Sequence, residues 1–204
     1  MRAVVLDFGG VLWDMRWDVA RDLDQAHGLP RSSVFETLYR TPEWQDLERG
    51  TGDAAAWAER AHRSLEARVG RPLPRLHEQW RAAQGPIGAN LLLVRRLKLR
   101  YTVSVLSNAD RSLRQRLEGE LGLAGVLDDI VISAEVGLAK PEPEVFRLAA
   151  RRLGLPPQEC VFVDDWDANV EAARAVGMPA VCFRVDRGDD LAGQLEAFGV
   201  AVPA

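Results

Sequence analysis

Five short runs constrain the fold most: Ala3–Leu6, Thr102–Leu106, Ile130–Ile132, Cys160–Val163 and Ala180–Phe183. Each is rich in apolar residues, Val and Ile prominent among them, and shows little polar alternation. A strand with one face in water alternates apolar and polar residues, whereas a strand buried on both faces does not. The runs therefore predict a parallel sheet covered on both sides. Helical patterns separate most of them, at Asn90–Leu99, Ser112–Leu121, Pro143–Leu153 and Asn169–Val176. Gly122, Gly154 and Gly177 stand where the last three should end. Strands and helices alternating in this way predict an α/β, doubly wound, Rossmann-like core.

Residues 15–85 break the pattern. They hold no convincing strand, but place Trp17, Trp44, Trp57 and Trp80 within helical patterns such as Asp53–Val69, punctuated by Pro30, Pro42, Pro72 and Pro74. The stretch Gln84–Gly88 has the composition of a hinge. The expectation is an all-helical insertion over 15–85, with the core formed by 1–14 and 86–204. A chain of 204 residues with 47% hydrophobic content can bury such a core. Its net charge of −4 argues against nucleic acid or an anionic membrane as partner. No apolar run approaches the roughly 18 residues of a membrane span, and the first residues lack a secretory-signal pattern. Cys160 and Cys182 lie in apolar, strand-like runs. They read as core thiols of a reducing compartment, which points to the cytoplasm.

Parallel α/β sheets bind ligands at the carboxyl ends of their strands. The residues just past the predicted strands are therefore the candidates. Asp7, followed by Gly9 and Gly10, comes after the first, and Ser107-Asn108 after the second. Lys140, in GLAKPEPEVF, ends the loop after the third. Asp164-Asp165, in VFVDDWDANVEAA, follow the fourth. Only Lys98 and Lys140 are lysines among 26 basic residues, so a lysine marks a place that wants a compact ammonium. Adjacent carboxylates repel, and a site that keeps them ionised wants a hard cation such as Mg²⁺. Such an ion offsets phosphate charge and leaves one carboxylate free as nucleophile. The lysine, a hydroxyl and backbone N–H groups would hold the phosphate oxygens. Taken singly, Asp7 could cap a turn and Asp164-Asp165 a helix; the ordered set is what points to chemistry. Asp14 reads as a hinge residue and Asp167 as a helix-start residue. His27, His62 and His77 fall in the insertion without ligand spacing.

The order and spacing of these four motifs resemble the haloacid dehalogenase superfamily, in the branch with a helical cap inserted after the first motif. The resemblance covers nearly the whole chain, and the Lys-Pro-x-Pro and Asp-Asp-x-x-x-Asn stretches are its most specific parts. It implies Asp7 as the nucleophile that becomes an aspartyl-phosphate, with Lys140 as the catalytic lysine. It implies Ser107 and Asn108, with Gly9 and Gly10, around the phosphate. It implies Mg²⁺ held by Asp7, the Gly9 carbonyl, Asp164 and Asp165, with Asp165 the direct ligand of the acid pair. Asn169 falls where this branch often carries Asn. The substrate implied is a small phosphorylated metabolite resembling a sugar phosphate; nothing in the sequence sets an oligomeric state. One departure stands out: the family's phosphatases carry a second acid two residues after the nucleophile, and here that residue is Gly9. Its backbone carbonyl can still face a metal, but it brings no proton. A side chain of this kind is worth about 10²–10⁴-fold in rate. The gap keeps two alternatives open, a 2-haloacid dehalogenase-type hydrolase and a weak or inactive phosphometabolite-binding protein. Against the first, dehalogenases place neutral polar residues where Asp164-Asp165 stand.

Overall fold

The computed structural model describes residues 1–203. Five parallel strands form one sheet: β1 (Ala3–Leu6), β4 (Thr102–Ser107), β5 (Asp129–Ile132), β6 (Cys160–Asp164) and β7 (Ala180–Cys182). Their spatial order is β5–β4–β1–β6–β7. β1 lies at the centre, with Leu6 in register with Val105 on one side and Val163 on the other. The chain builds outward from β1 through β4 to β5, then returns to lay β6 and β7 on the opposite side. That reversal opens a crevice at the carboxyl ends of β1, β4 and β6.

The continuous apolar runs are explained by burial on both faces. Val4, Leu6, Val103, Val105, Val161 and Val163 pack with α6 (Gly88–Leu97), α7 (Ser112–Gln115) and α11 (Leu191–Glu196). Val5, Leu106 and Phe162 pack on the other side with α9 (Pro143–Arg152) and α10 (Asp167–Ala175). β4 and β6 each run one residue further than expected, so Ser107 and Asp164 are the last residues of strands. The helix expected over 112–121 stays α-helical only to Gln115. It then widens into a π turn over Arg116–Glu120, which keeps Leu117 buried.

Residues 17–83 form five helices, α1 (Trp17–His27), α2 (Ser33–Tyr39), α3 (Pro42–Glu48), α4 (Ala54–Val69) and α5 (Leu76–Ala83). They bury a separate apolar cluster that includes Val34, Leu38, Trp57, Leu65, Leu76 and Trp80. Local chemistry starts two of them: Thr41 Oγ1 accepts from Trp44 N at 3.2 Å, and Asp53 Oδ1 from Ala56 N at 2.9 Å. The buried indoles find backbone acceptors, Trp57 Nε1 donating to Leu38 O at 2.7 Å and Trp80 Nε1 to Met15 O at 2.6 Å.

Both ends of this segment pass through a strand pair absent from the sequence reading. β2 (Trp13–Asp14) runs antiparallel to β3 (Gly85–Pro86). Two residues carry no periodicity, and a proline in one of them reads as a turn. Asp14 Oδ1 accepts from Arg16 N at 2.8 Å, just before α1 begins. Cys160 is buried, Cys182 half-buried, and both are free thiols. Among the described residues, no helix is long and apolar enough to cross a membrane.

His77 is buried in the helical segment, its Nε2 lying 2.9 Å from Thr37 Oγ1. Burial, with help from His62 and Arg81, pushes its pKa down to about 4. The folded imidazole therefore refuses a proton that the unfolded chain accepts from about pH 6.5 downward. Stability from this site is complete above about pH 6.5 and is lost as pH falls toward 4, by roughly 3 kcal/mol at the bottom. Urea unfolding of wild type and His77→Gln across this window checks it. The stability difference between the two proteins should shrink on acidification, because only the wild type carries the imidazole.

Candidate active site

The register of the central strands brings the first two acids together. Because Leu6 pairs with Val163, Asp7 and Asp164 leave the sheet side by side. Asp7 N donates to Val163 O at 2.8 Å, and Phe8 N donates to Asp7 Oδ1 at 2.7 Å. Asp164 is fully buried, and both its oxygens are engaged. Oδ1 accepts from Trp166 N at 2.8 Å and Asn169 Nδ2 at 3.1 Å. Oδ2 accepts from Asn169 Nδ2 at 3.1 Å and Lys140 Nζ at 2.6 Å.

Lys140 places its ammonium between the two acids, 2.8 Å from Asp7 Oδ1 and 2.6 Å from Asp164 Oδ2. Asn108 sets that position. Its Nδ2 donates to Lys140 O and its Oδ1 accepts from Lys140 N, both at 2.8 Å. The resemblance implies Asn108 beside the phosphate; in the structure its carboxamide fixes the backbone of the lysine loop. Burial disfavours the Lys140 charge, but Asp164 and Asp7 outweigh it and hold the ammonium above its ordinary value. A guanidinium is too large and too directional for this seat, which accounts for a lysine in an arginine-rich chain. The same reasoning carries no weight at Lys98, which pairs with Asp128 at the surface.

Asp165 completes the group. Asp7, Asp164 and Asp165 each bring a carboxylate oxygen to within 4.8 Å of one another. Three carboxylates against one ammonium leave an excess of negative charge matching one divalent cation. The strain shows in the acids themselves. Burial, set against Lys140 and reinforced by Asp164, raises the pKa of Asp7 to about 6. Burial together with Asp7 and Asp164 raises that of Asp165 to about 8. Unlike Asp164, Asp165 has no hydrogen-bond partner among the described residues, so its oxygens are free for a ligand. Buried, hard and anionic donors of this kind suit Mg²⁺.

Gly10 lets Asp165 approach. A side chain there would put its Cβ 2.1 Å from Asp165 Oδ2, and its φ of +76° also favours glycine. Gly9 is different: a Cβ would meet only Met15, at 3.4 Å from Sδ. The position of the missing acid has room for one. All these groups except buried Asp164 line a cavity of about 640 Å³ or stand directly behind its wall. Ser107 and Asn108 lie on its floor with Asp7, Lys140 and Asp165. Trp13, Trp17 and Trp44 line it too, with Tyr39, Glu48 and Arg81 from the helical segment. Glu48 drew no attention in the sequence, since a glutamate at a helix end is ordinary. Asp167 stands apart, exposed and paired with Arg184 at 3.0 Å. The three histidines are not among the cavity residues.

Replacing Lys140 by Met leaves two buried carboxylates without their cation. The expected cost is about 3–5 kcal/mol at pH 8, in the range for removing one partner of a buried ion pair. It should diminish as pH falls through about 6, where Asp7 takes up a proton. Metal-free denaturant unfolding at both pH values measures it.

Known proteins resemble this chain in sequence and in fold. The phosphorylated carbohydrates phosphatase of Thermotoga maritima is 26% identical over 99% of this chain and 94% of its own length. The fructose-1-phosphate phosphatase of Escherichia coli is 36% identical over 42% of this chain. The match spans 46% of that phosphatase, so the chain aligns with less than half of its length. A HAD family enzyme of Bacteroides thetaiotaomicron, solved with magnesium and inorganic phosphate, superposes with a TM-score of 0.71 at 19% identity, covering 96% of this chain and 98% of that one. L-2-haloacid dehalogenase of Xanthobacter autotrophicus shares the fold at a TM-score of 0.61 and 21% identity, over 88% and 76% of the two chains. The model of the haloacid dehalogenase-like hydrolases matches residues 1–177. The chain belongs to that family of hydrolases.

Proposed function

We propose that the protein is a Mg²⁺-dependent phosphatase of small phosphorylated metabolites, sugar phosphates foremost, working through an aspartyl-phosphate on Asp7. The observation that carries this reading is the convergence of Asp7, Asp164 and Asp165 at and just behind the cavity floor, with Lys140 seated between the first two. A dehalogenase site has no use for this excess of negative charge beside an anionic substrate. The two phosphatase relatives, both named for phosphorylated sugars, support the substrate class. The helical segment 15–85 is the cap, and the free thiols fit a cytoplasmic setting.

Each residue has a task. Asp7 Oδ2, the oxygen not held by Phe8 N–H and Lys140, attacks phosphorus. Asp7, Asp165 and the Gly9 carbonyl would hold Mg²⁺, with Asp164 adding its charge from behind. Bound there, the ion offsets phosphate charge and keeps both outer acids ionised at neutral pH. Lys140 restrains Asp7 and supplies positive charge to the phosphate oxygens. Ser107 and the backbone around Gly9 and Gly10 complete the oxygen cradle. Asn169 and Trp166 N–H hold Asp164, and Asp164 holds Lys140.

A panel of p-nitrophenyl phosphate, sugar phosphates and chloroacetate, each with and without Mg²⁺, tests the reading. Phosphate release should depend on Mg²⁺, and halide release should be absent. Asp7→Asn should lower phosphate release by at least about 10³-fold, the scale for losing a covalent nucleophile. Asp165→Asn should raise the Mg²⁺ concentration for half-maximal rate by about tenfold or more. Metal-independent chloride release that Asp7→Asn abolishes would instead establish the dehalogenase.

A further inference from the structure

We propose that Glu48, carried by the helical segment, is the acid–base residue that stands in for the side chain missing at Gly9. The inference rests on the phosphatase reading above and adds to it the group that protonates the leaving oxygen.

In-line displacement places the leaving oxygen opposite the attacking Asp7. With the phosphate on the floor, that oxygen points toward the wall supplied by the helical segment. Five carboxyl groups line the cavity: Asp7, Glu48, Asp110, Glu142 and Asp165. Asp7 is the nucleophile and Asp165 faces the metal position. Glu142 is paired with Arg49. Asp110 caps its own turn, Oδ1 accepting from Ser112 N at 2.8 Å. Glu48 is left, buried to 9% exposure and without an ion-pair partner among the described residues. It faces the Trp44 indole and the Asn108 carboxamide, the latter directly beside Ser107. Burial holds its carboxyl above the ordinary glutamate value, against the opposing pull of Arg49, the Trp44 indole and the Asn108 carboxamide.

Its neighbours fix it over the floor. Arg49 reaches across to Gly137 O at 3.3 Å and to Glu142, two residues past Lys140. Gly50 packs against the core so closely that a Cβ would lie 2.2 Å from Ala134 O. The end of α3 is thus seated on the sheet domain at two successive residues, with Glu48 just before them.

In the first step an Asp7 oxygen bonds to phosphorus, and the bond from phosphorus to the leaving oxygen breaks. Its electron pair goes to that oxygen, which takes the Glu48 proton and departs as an alcohol. In the second step water attacks phosphorus and gives a proton to Glu48. The bond to Asp7 breaks, its electrons return to the carboxylate, and orthophosphate leaves.

Glu48→Gln keeps the shape and removes the proton. Nitrophenolate needs no protonation to leave, whereas an alkoxide does. For the fastest alkyl phosphate in the panel, kcat/KM should fall about 10²–10³-fold, while for p-nitrophenyl phosphate it changes less than about threefold. The aryl ester should also give a stoichiometric burst of nitrophenol, with phosphorylated chain accumulating in acid-quenched samples. Adding Gly9→Asp to Glu48→Gln should restore alkyl turnover. Equal losses on both esters without a burst overturn the proposal and leave the phosphatase reading intact. So does a wild type that cleaves aryl but no alkyl phosphates. No phosphate release from any ester removes both. Should Glu48→Gln fail to fold, Gly9→Asp alone decides. A change in alkyl kcat/KM below about threefold supports Glu48, and a gain of tenfold or more confined to alkyl esters overturns it.

Discussion

An ammonium buried between two buried carboxylates is the interaction on which the rest depends. Lys140 reaches Asp7 and Asp164 from a third stretch of chain, and none of the three charges can be left alone in the interior at tolerable cost. That demand fixes the topology around it. β1 and β6 must be parallel neighbours in one register, since a slip of one residue would turn one acid to the opposite face of the sheet. The loop before α9 must arrive at the same height, and Asn108 at the end of β4 ties it there with two hydrogen bonds. Three of the five strands are thereby committed to one cluster of charge.

How much of this could be read from residue order follows from how local each signal is. The five strands were legible because burial on both faces removes polar residues from a short run, a trait visible without knowing the partner strand. Asp7, Lys140, Asp164 and Asp165 were legible because strand ends are where such sheets put chemistry, and because lysine is scarce here. The tasks of Asn108 and Asn169 were not, since each depends on a partner in another element, the lysine loop for one and the end of β6 for the other. Glu48 was invisible for the same reason. Its neighbours in sequence describe a helix end, and only the seating of Arg49 and Gly50 on the core brings it to the cavity. The ribbon of β2 and β3 escaped because two residues make no pattern.

The site is therefore built from two kinds of structure. The floor consists of strand ends and the lysine loop tied to them, and on the proposed reading it takes the phosphate. The wall consists of helix ends and aromatic side chains packed on a separate apolar cluster, and on that reading it would meet whatever the phosphate is attached to. Arg40 illustrates the seam, its guanidinium stacking 4.8 Å from the Trp166 ring centroid of the sheet domain while extending from the helical one.

The two-residue ribbon of Trp13–Asp14 against Gly85–Pro86 has an evolutionary corollary. A segment that departs and comes back through adjacent positions imposes no spacing requirement on what lies between them. Loops and helices could lengthen, shorten or be replaced there without moving a single strand. The same charged floor could in this way be inherited under successive roofs, each exchange of the cassette bringing a new selectivity together with its own residue at the place of Glu48.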